Sequence, residues 1–149
     1  MSELSHVDET TGEVRMVDVG AKPVSRRRAV ARGRVRMARA TIERLRTLPK
    51  GDALAVARLA GIQGAKRTSE LVPLSHPLPL TVVEIDLAID DDGLVIEAAA
   101  ETTAQTGVEM EALTAVTVAA LTVYDMAKAV DKDMRIDDVV LVSKTKEPV

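Results

Sequence analysis

Residues 81–103 read TVVEIDLAIDDDGLVIEAAAETT and contain the clearest structural signal in the chain. Two runs rich in β-forming residues flank Asp91, Asp92 and Gly93, and an Asp-Gly pair between such runs is the strongest short-range indication of a β-hairpin. The three consecutive carboxylates from Asp90 onwards also allow a metal site. A turn is the favoured interpretation, because Asp-Asp-Gly satisfies a tight turn by itself. The sequence therefore predicts two antiparallel strands joined by a short turn.

A further strand and two helices are predicted on the N-terminal side of this hairpin. Residues 31–37, ARGRVRM, alternate arginine with small or apolar residues, as in a strand with one exposed face. Apolar residues at helical spacing over residues 40–48 predict a helix that stops at Pro49. Asp52 can then cap a second helix over residues 53–72.

The C-terminal side adds an extended connection, a long helix and a closing strand. Residues 73–80 are rich in proline, which favours an extended, irregular connection. Residues 108–130 predict an apolar helix, and residues 135–144, RIDDVVLVSK, predict a strand. The resulting order is β-α-β-β-α-β with one extra helix after the first strand. It predicts an α+β fold of ferredoxin-like type, with helices on one face of an antiparallel sheet. We expect a single domain over residues 1–149, with residues 1–14 as a flexible N-terminus.

The composition excludes several kinds of site. The chain has no cysteine, which excludes disulfides, Cys-bound iron–sulfur clusters and a cysteine nucleophile. Two histidines, His6 and His76, are too few for a histidine-based zinc site. The chain has one aromatic residue, Tyr124, and therefore lacks the stacking platforms that single-stranded nucleic-acid binders use. Because no secretory signal and no apolar run of 18 residues is evident, we expect a cytoplasmic protein without a membrane segment.

Charge is distributed unevenly, although the net charge is only -3. Residues 1–14, 15–50 and 51–149 have local net charges of -4, +10 and -9 when their acids and bases are counted. A basic segment of this kind can bind nucleic acid, hold an anionic small molecule or pair with acidic surface on a neighbouring subunit. The acidic total argues against a dedicated DNA-binding protein. An oligomeric anion- or nucleic-acid-binding protein without catalysis stays open as an alternative.

Charged residues lie near both ends of the long apolar helix. Glu109 fits a capping box with Thr106, and this structural explanation and a functional one are equally open. Glu111 has no capping role, which favours a functional one. Asp125 and Lys128 are three residues apart and therefore neighbours on one helical face, either as a surface ion pair or as site residues.

Glu111 and Asp125 are too far apart to act on the same atom. They are separated by 14 residues, which is roughly 21 Å along a straight helix. If both serve one site, either a long ligand spans them or a second copy of the chain supplies one end. We prefer an oligomer with shared sites, because a helix of this length has little to bury its other face against in so small a domain.

Cations elsewhere in the chain form a second set of candidates: Lys22, Arg27, Lys50, Lys66 and Arg67. Each alone is usually a solvated charge. Together with the basic strand they can form an anion cradle, because arginine contacts phosphate through two N–H groups and lysine adds a point charge. Neither a P-loop nor a dinucleotide-binding glycine motif is present. His76 is a further candidate, since it falls on the proline-rich connection rather than on a helix face.

Three segments carry a specific family resemblance: residues 16–29 (MVDVGAKPVSRRRA), 50–80 (KGDALAVARLAGIQGAKRTSELVPLSHPLPL) and 106–139 (TGVEMEALTAVTVAALTVYDMAKAVDKDMRIDDV). They closely resemble cyclic pyranopterin monophosphate synthase, the molybdenum cofactor biosynthesis protein C family. The resemblance runs over residues 4–144, nearly the whole chain. The family commonly has cysteine where this chain has Ser75 and Ala127, so the implied reaction does not require those cysteines.

The resemblance implies a ferredoxin-like subunit in a homohexamer, a trimer of dimers with active sites shared between chains. The implied reaction converts (8S)-3′,8-cyclo-7,8-dihydroguanosine 5′-triphosphate, a small cyclic GTP derivative, to cyclic pyranopterin monophosphate with release of pyrophosphate. That reaction belongs to molybdenum cofactor biosynthesis. No metal or organic cofactor is implied, and no nucleic-acid or membrane partner.

The resemblance also implies individual residue roles. Its catalytic residues fall on Asp125, Lys128 and Lys50, with the two lysines as acid or base and Asp125 assisting them. Its substrate-binding residues fall on Leu74, Ser75, His76, Met110, Glu111, Glu109, Asp18, Lys22, Arg27, Lys66 and Arg67. Within that second set, the side chains that would hold the triphosphate are Lys22, Arg27, Lys66, Arg67 and His76.

Overall fold

The computed structural model describes residues 6–149, which contain one four-stranded sheet and four helices. In chain order the elements are β1 (Ser25–Arg36), α1 (Arg39–Ile42), α2 (Ala53–Lys66), α3 (Thr68–Leu71), β2 (Leu80–Asp90), β3 (Gly93–Ala104), α4 (Glu109–Ala127) and β4 (Arg135–Pro148). The predicted flexible segment, residues 1–14, lies partly outside the described residues. Its described part forms a short turn in which Val7 bridges Val14.

The four strands form one antiparallel sheet in the order β2-β3-β1-β4. α4 packs across β1, β3 and β4, while α2 packs beside α4 and against β2. Small residues line the sheet beneath the helices: Ala29 and Ala31 of β1 are fully buried and pair with Ala100 and Ala98 of β3. This arrangement confirms the predicted ferredoxin-like α+β fold.

β2 and β3 are joined by the predicted Asp-Asp-Gly turn. Asp90 Oδ1 accepts hydrogen bonds from the backbone N–H groups of Asp92 (2.9 Å) and Gly93 (3.1 Å). Gly93 has a φ of 143°, and a Cβ at this position would collide with the carbonyl oxygen of Val35. The turn interpretation is therefore confirmed. Within residues 6–149, no three acidic or histidine side chains are grouped as they would be around a metal ion.

β1 confirms the alternation predicted for residues 31–37 and extends it back to Ser25. Its even-numbered arginines lie on the sheet face away from the helices, where carboxylates of the other three strands balance them. Three of these pairs are Arg32–Glu97 at 2.9 Å, Arg34–Asp90 at 2.7 Å and Arg36–Asp137 at 2.8 Å. The hydrogen bond from Arg34 lowers the pKa of Asp90 to about 2. Arg32, Arg34 and Arg36 are therefore paired within the sheet, and a part for the basic strand in an anion cradle stays a prediction.

The helix predicted over residues 40–48 is wrong in length. α1 ends at Ile42, and tight turns with hydrogen bonds between residues three apart follow it. The Leu45 carbonyl accepts a hydrogen bond from Ala53 N–H at 2.8 Å, which folds the segment back onto the start of α2. Leu45 and Leu48 are buried as their spacing indicated. The apolar pattern therefore identified the buried positions, but competing backbone hydrogen bonds decided the conformation.

The helix predicted over residues 53–72 begins where expected and breaks before its predicted end. Asp52 caps α2 by accepting hydrogen bonds from two backbone N–H groups at 2.9 and 3.2 Å. At Arg67 the backbone leaves helical geometry, with φ -109° and ψ 14°. The Thr68 hydroxyl then donates to the Ala65 carbonyl at 2.8 Å. This side-chain bond satisfies a carbonyl that a longer helix would have paired with a backbone N–H.

α4 is the core helix of the fold. By length and composition alone it could cross a membrane, since an 18-residue window within it has a mean hydropathy of 1.3. Half of that window is buried inside the protein. Buried positions recur every three or four residues, as at Ala112, Ala115, Val116 and Ala119. Packing on the sheet and on α2 therefore accounts for the apolar character of α4.

Candidate active site

A cavity of about 700 Å³ lies between the N-terminal end of α4 and the loop that precedes β2. His6 and Val14 close it from the N-terminal side. Six residues predicted to bind substrate line this cavity: Leu74, Ser75, His76, Glu109, Met110 and Glu111. The fold thus brings two motifs that are far apart in sequence to the walls of one cavity, which we call the main cavity.

The proline-rich loop, residues 72–79, supplies one wall of the main cavity. Ser75 N–H donates to the Val72 carbonyl at 3.1 Å, which forms a turn just before His76. His76 Nε2 lies 2.6 Å from the carbonyl oxygen of Val17. Because a carbonyl only accepts, Nε2 donates this hydrogen bond. The imidazole is therefore held in one orientation, with Nδ1 free of this contact.

The opposite wall carries Glu111, which is buried with only 3% of its surface exposed. Burial raises the pKa of Glu111 to about 7, and the negative charge of Glu109 adds to the rise. A carboxyl group with this pKa donates a hydrogen bond when protonated and accepts one when ionised, both near neutral pH. Glu111 can therefore hold or exchange a proton with a polar atom in the main cavity.

The capping box predicted between Thr106 and Glu109 is wrong. The N-cap of α4 is Val108, with φ -113° and ψ 25°, and it has no side-chain capping bond. The Glu109 carboxylate instead lies against Gly107. Since Glu109 does not cap the helix, the structural explanation that competed with a functional one is removed.

A second, smaller cleft of about 200 Å³ adjoins the main cavity, and Gly107 and Glu109 line both. Four cations surround this basic cleft: Arg27, Arg28, Lys144 and Lys146. Arg27 Nε is buried and has no hydrogen-bond partner in the described part of the chain. A guanidinium N–H in this state is a ready donor for an anion.

Lys144 and Lys146 are not among the residues predicted from the sequence. They lie two residues apart on β4, where Lys146 pairs in register with Arg27. The Lys-x-Lys spacing was a usable signal for a shared strand face. Which strand that face adjoins depends on long-range pairing, which the spacing within one segment does not specify.

The three predicted catalytic residues meet at the other end of α4. Asp125 Oδ2 lies 2.8 Å from Lys50 Nζ, and Asp125 Oδ1 lies 2.9 Å from Lys128 Nζ. The hydrogen bond from Lys50, followed by that from Lys128, lowers the pKa of Asp125. About half of each of the three side chains is exposed. This group, the lysine–aspartate cluster, therefore combines ordered geometry with access for a ligand.

Within one chain, the main cavity and the lysine–aspartate cluster are far apart. Glu111 lies in the first turn of α4 and Asp125 in its last, a separation of roughly 21 Å at about 1.5 Å per residue. Each chain therefore carries two groups of candidate residues at opposite ends of one helix. One chain cannot direct both groups at the same reacting atom.

Four of the predicted binding residues line neither the main cavity nor the basic cleft: Asp18, Lys22, Lys66 and Arg67. Asp18 Oδ1 accepts a hydrogen bond from Gly20 N–H at 2.8 Å and so shapes the segment that contacts His76. Lys22, Lys66 and Arg67 are exposed. Their part in substrate binding stays a prediction.

Fold and site together define a class of protein: a ferredoxin-like α+β domain with a cavity for a small molecule, lined by carboxyl and imidazole groups and continued by a cationic cleft. A model of the MoaC family matches residues 16–147. The chain belongs to the MoaC family. The resemblance carried by the three sequence segments is therefore confirmed.

Curated relatives match almost the whole chain. The cyclic pyranopterin monophosphate synthase of Thermomicrobium roseum is 60% identical over 148 residues, covering 97% of this chain and 89% of the relative. The protein of that name from Heliobacterium modesticaldum is 58% identical over 149 residues, with 97% and 93% covered. That from Dinoroseobacter shibae is 57% identical over 148 residues, with 97% and 93% covered.

Proposed function

We propose that this chain is a cyclic pyranopterin monophosphate synthase acting in molybdenum cofactor biosynthesis. It converts (8S)-3′,8-cyclo-7,8-dihydroguanosine 5′-triphosphate to cyclic pyranopterin monophosphate and releases pyrophosphate. The observation that carries this proposal is the family match over residues 16–147, with curated relatives of that name at 55 to 60% identity. The enzyme acts on a small molecule and works as a single domain without a resident cofactor.

The main cavity is proposed to bind the ring system of the substrate. Leu74 and Met110 offer apolar surface for a fused ring, and Glu111 and His76 offer hydrogen bonds to its polar edge. Arg27, with an unpartnered Nε beside the main cavity, is proposed to contact the triphosphate. Glu109 and Ser75 complete the lining. Asp18, Lys22, Lys66 and Arg67, which line neither cavity, are proposed to contact the substrate as well.

The lysine–aspartate cluster is proposed to carry the chemistry. Lys50 and Lys128 transfer protons to and from the substrate ring and stabilise developing oxyanions. Asp125 contacts both ammonium groups within 2.9 Å and so holds them on one side of the reacting atoms. Which lysine donates and which accepts depends on the substrate's orientation.

The active assembly is proposed to be a homohexamer, a trimer of dimers whose sites take the main cavity from one chain and the lysine–aspartate cluster from another. The separation of these two groups along α4 supports this proposal. Exposed apolar side chains on the outer face of the helices support it too: Leu59 on α2 is 64% exposed and Leu121 on α4 is 59% exposed.

The enzyme is proposed to be cytoplasmic, with no nucleic-acid or membrane partner. The carboxylates that pair with the arginines of β1 support the absence of a nucleic-acid partner, since they cancel the positive charge that would attract phosphates. The packing of α4 in the protein core supports the absence of a membrane partner.

The deciding experiment incubates the purified protein with the cyclic GTP derivative, with the Thermomicrobium roseum relative as a positive control. We expect equal amounts of cyclic pyranopterin monophosphate and pyrophosphate, detected by mass spectrometry and a phosphate assay. Sedimentation should give the mass of six chains. Binding of the triphosphate without any product, while the control protein converts it, would instead support an anion-binding protein without catalysis.

A further inference from the structure

Lys50 belongs to a continuous hydrogen-bonded segment, residues 38–53. Along most of this segment, backbone N–H groups bond to carbonyls three or four residues earlier, and its last N–H bonds back to the Leu45 carbonyl at 2.8 Å. Leu45 and Leu48 are buried in the core. Because the segment is held together internally, a shift at its start moves Lys50 at its other end.

Lys128 belongs to a second ordered unit, the C-terminal turn of α4. Lys128 N–H donates to the Tyr124 carbonyl at 3.0 Å, and Asp131 N–H donates to the Ala127 carbonyl at 3.0 Å. Lys132 Nζ donates to the Lys128 carbonyl at 2.7 Å. The two lysines of the cluster therefore sit on different ordered units, whose mutual placement must be fixed by other contacts.

One buried carboxylate joins the two units. Asp131 Oδ2 accepts hydrogen bonds from Ala38 N–H at 3.0 Å and from the Thr41 hydroxyl at 2.8 Å. Its Oδ1 accepts one from Asp133 N–H at 3.0 Å. Asp131 is only 9% exposed. Burial opposes its ionisation, yet these three hydrogen bonds keep the pKa of Asp131 below its usual range.

We propose that Asp131 is a positioning residue for the lysine–aspartate cluster, where it fixes the spacing between Lys50 and Lys128 around Asp125. Asp125 and Lys128 share one helix, whereas Lys50 reaches them from the segment that Asp131 holds against the end of that helix. The lysine side chains are half exposed, and exposed ion pairs alone fix geometry weakly. The inference rests on the proposed function only for its effect on turnover.

The first experiment tests the placement of the lysines without using turnover. Carbon-13 NMR of the aspartate carboxyl groups gives the pKa of Asp125 in the folded oligomer of each variant. In Asp131→Asn and Asp131→Ala that pKa should rise toward the ordinary aspartate value, because Lys50 is no longer held beside Asp125. Thr41→Val removes the hydroxyl hydrogen bond to Asp131, so the pKa of Asp125 should rise in this variant as well.

Asp133→Asn is the matched control. It alters an exposed neighbouring carboxylate and keeps the backbone N–H that donates a hydrogen bond to Asp131. It should leave the pKa of Asp125 unchanged. An unchanged Asp125 pKa in folded Asp131→Asn and Thr41→Val would overturn the proposal, even if Asp131→Ala fails to fold.

The second experiment measures turnover, which separates a positioning role from a role in stability. Displacing a catalytic group by a fraction of its contact distance costs rate, so Asp131→Asn should lower kcat about tenfold or more while KM changes less than about twofold. A kcat equal to that of the wild type would contradict positioning. If the wild type itself shows no turnover, the proposed function fails, and the NMR result alone decides the inference about Asp131.

Discussion

Three carboxyl groups show how surroundings set the protonation of single residues in this chain. Burial raises the pKa of Glu111 to about 7, whereas an arginine hydrogen bond lowers the pKa of Asp90 to about 2. Two lysine ammonium groups lower the pKa of Asp125. Of the three, only Glu111 changes charge near neutral pH, so only Glu111 can contribute a pH response there.

Replacing Glu111 by glutamine should change how stability depends on pH. The pKa of Glu111 in the folded protein, about 7, lies above its ordinary value of 4.5. The contribution of Glu111 to folding is therefore fully present below pH 4.5 and is lost as the pH rises through 7. Relative to the wild type, the free energy of unfolding of Glu111→Gln should therefore rise by on the order of 2 kcal/mol between pH 5 and pH 8. This figure is reduced to allow for solvent near the carboxyl.

Urea denaturation at the two pH values measures this difference in the free energy of unfolding. Glu43→Gln, at an exposed position, is the matched control and should show no such gain. Parallel stability curves for Glu111→Gln and the wild type would show that the carboxyl is not desolvated.

Lys50→Ala and Lys128→Ala should each reduce turnover severely without changing the oligomer. Loss of a proton-transferring group costs about 100-fold or more in rate, and both side chains are about half exposed, so neither holds the core together. Steady-state product formation measures the first effect and sedimentation the second. Arg46→Ala removes an exposed cation four residues before Lys50 and should keep full activity. Normal turnover in both lysine variants would refute the catalytic assignment.

At the scale of elements, α2 and α4 approach each other closely. Glycines on α2 allow it: a Cβ at Gly61 would lie 3.1 Å from the Ala115 carbonyl oxygen, and a Cβ at Gly64 would lie 2.9 Å from Val118 Cβ. Lys50 lies three residues before the first residue of α2, while Asp125 lies on α4 and Lys128 is its C-cap. Separating the two helices would therefore separate the two lysines.

Gly64→Ala should destabilise the protein even though alanine favours helix. The helix propensity gain is about 1 kcal/mol, while an overpacked contact against the branched carbon of Val118 costs about 1 to 3 kcal/mol. We expect a net loss near 1 kcal/mol in urea unfolding. Adding Val118→Ala removes both Cγ atoms, one of which would lie 2.9 Å from the new Cβ, so the double variant should show a favourable coupling energy. If the stability effects of the two substitutions simply add, the destabilisation by Gly64→Ala does not come from its contact with Val118.

At the scale of the whole molecule, the proposed site needs a second chain if the main cavity and the lysine–aspartate cluster are to act on one substrate. The main cavity and the lysine–aspartate cluster stand at opposite ends of the same 19-residue helix. In a symmetric dimer, each chain would lend its cluster to the other's cavity, and two equivalent sites would result.

If loss of Glu111 or of Lys128 abolishes turnover, mixing the two variants should therefore restore activity. Glu111→Gln lacks a cavity residue and Lys128→Ala lacks a cluster residue, so a mixed dimer has one site with both defects and one with neither. Random 1:1 mixing makes half the dimers mixed, which predicts about a quarter of wild-type turnover. Lys50→Ala mixed with Lys128→Ala, both defective in the cluster, should restore nothing. No recovery in the first mixture after verified subunit exchange would exclude shared sites.

Periodic patterns allowed much of the fold to be predicted. Three local patterns did so: the alternation in residues 31–37, the Asp-Asp-Gly turn and the apolar spacing of α4. Each lies within one segment, because the buried side of a strand or helix repeats with the period of that element. Six cavity residues and the lysine–aspartate cluster were named through motif resemblance. The element order then implied the antiparallel sheet.

The sequence by itself determined these local periods and the family to which the chain belongs. Tertiary structure alone decided where α1 ends, that Glu109 does not cap α4, that Arg27 lies beside Lys146, and that Asp131 ties residues 38–41 to the end of α4. The physical reason is that each of these outcomes depends on which distant group satisfies a hydrogen bond or a charge. Such partners are chosen only when the segments have packed together.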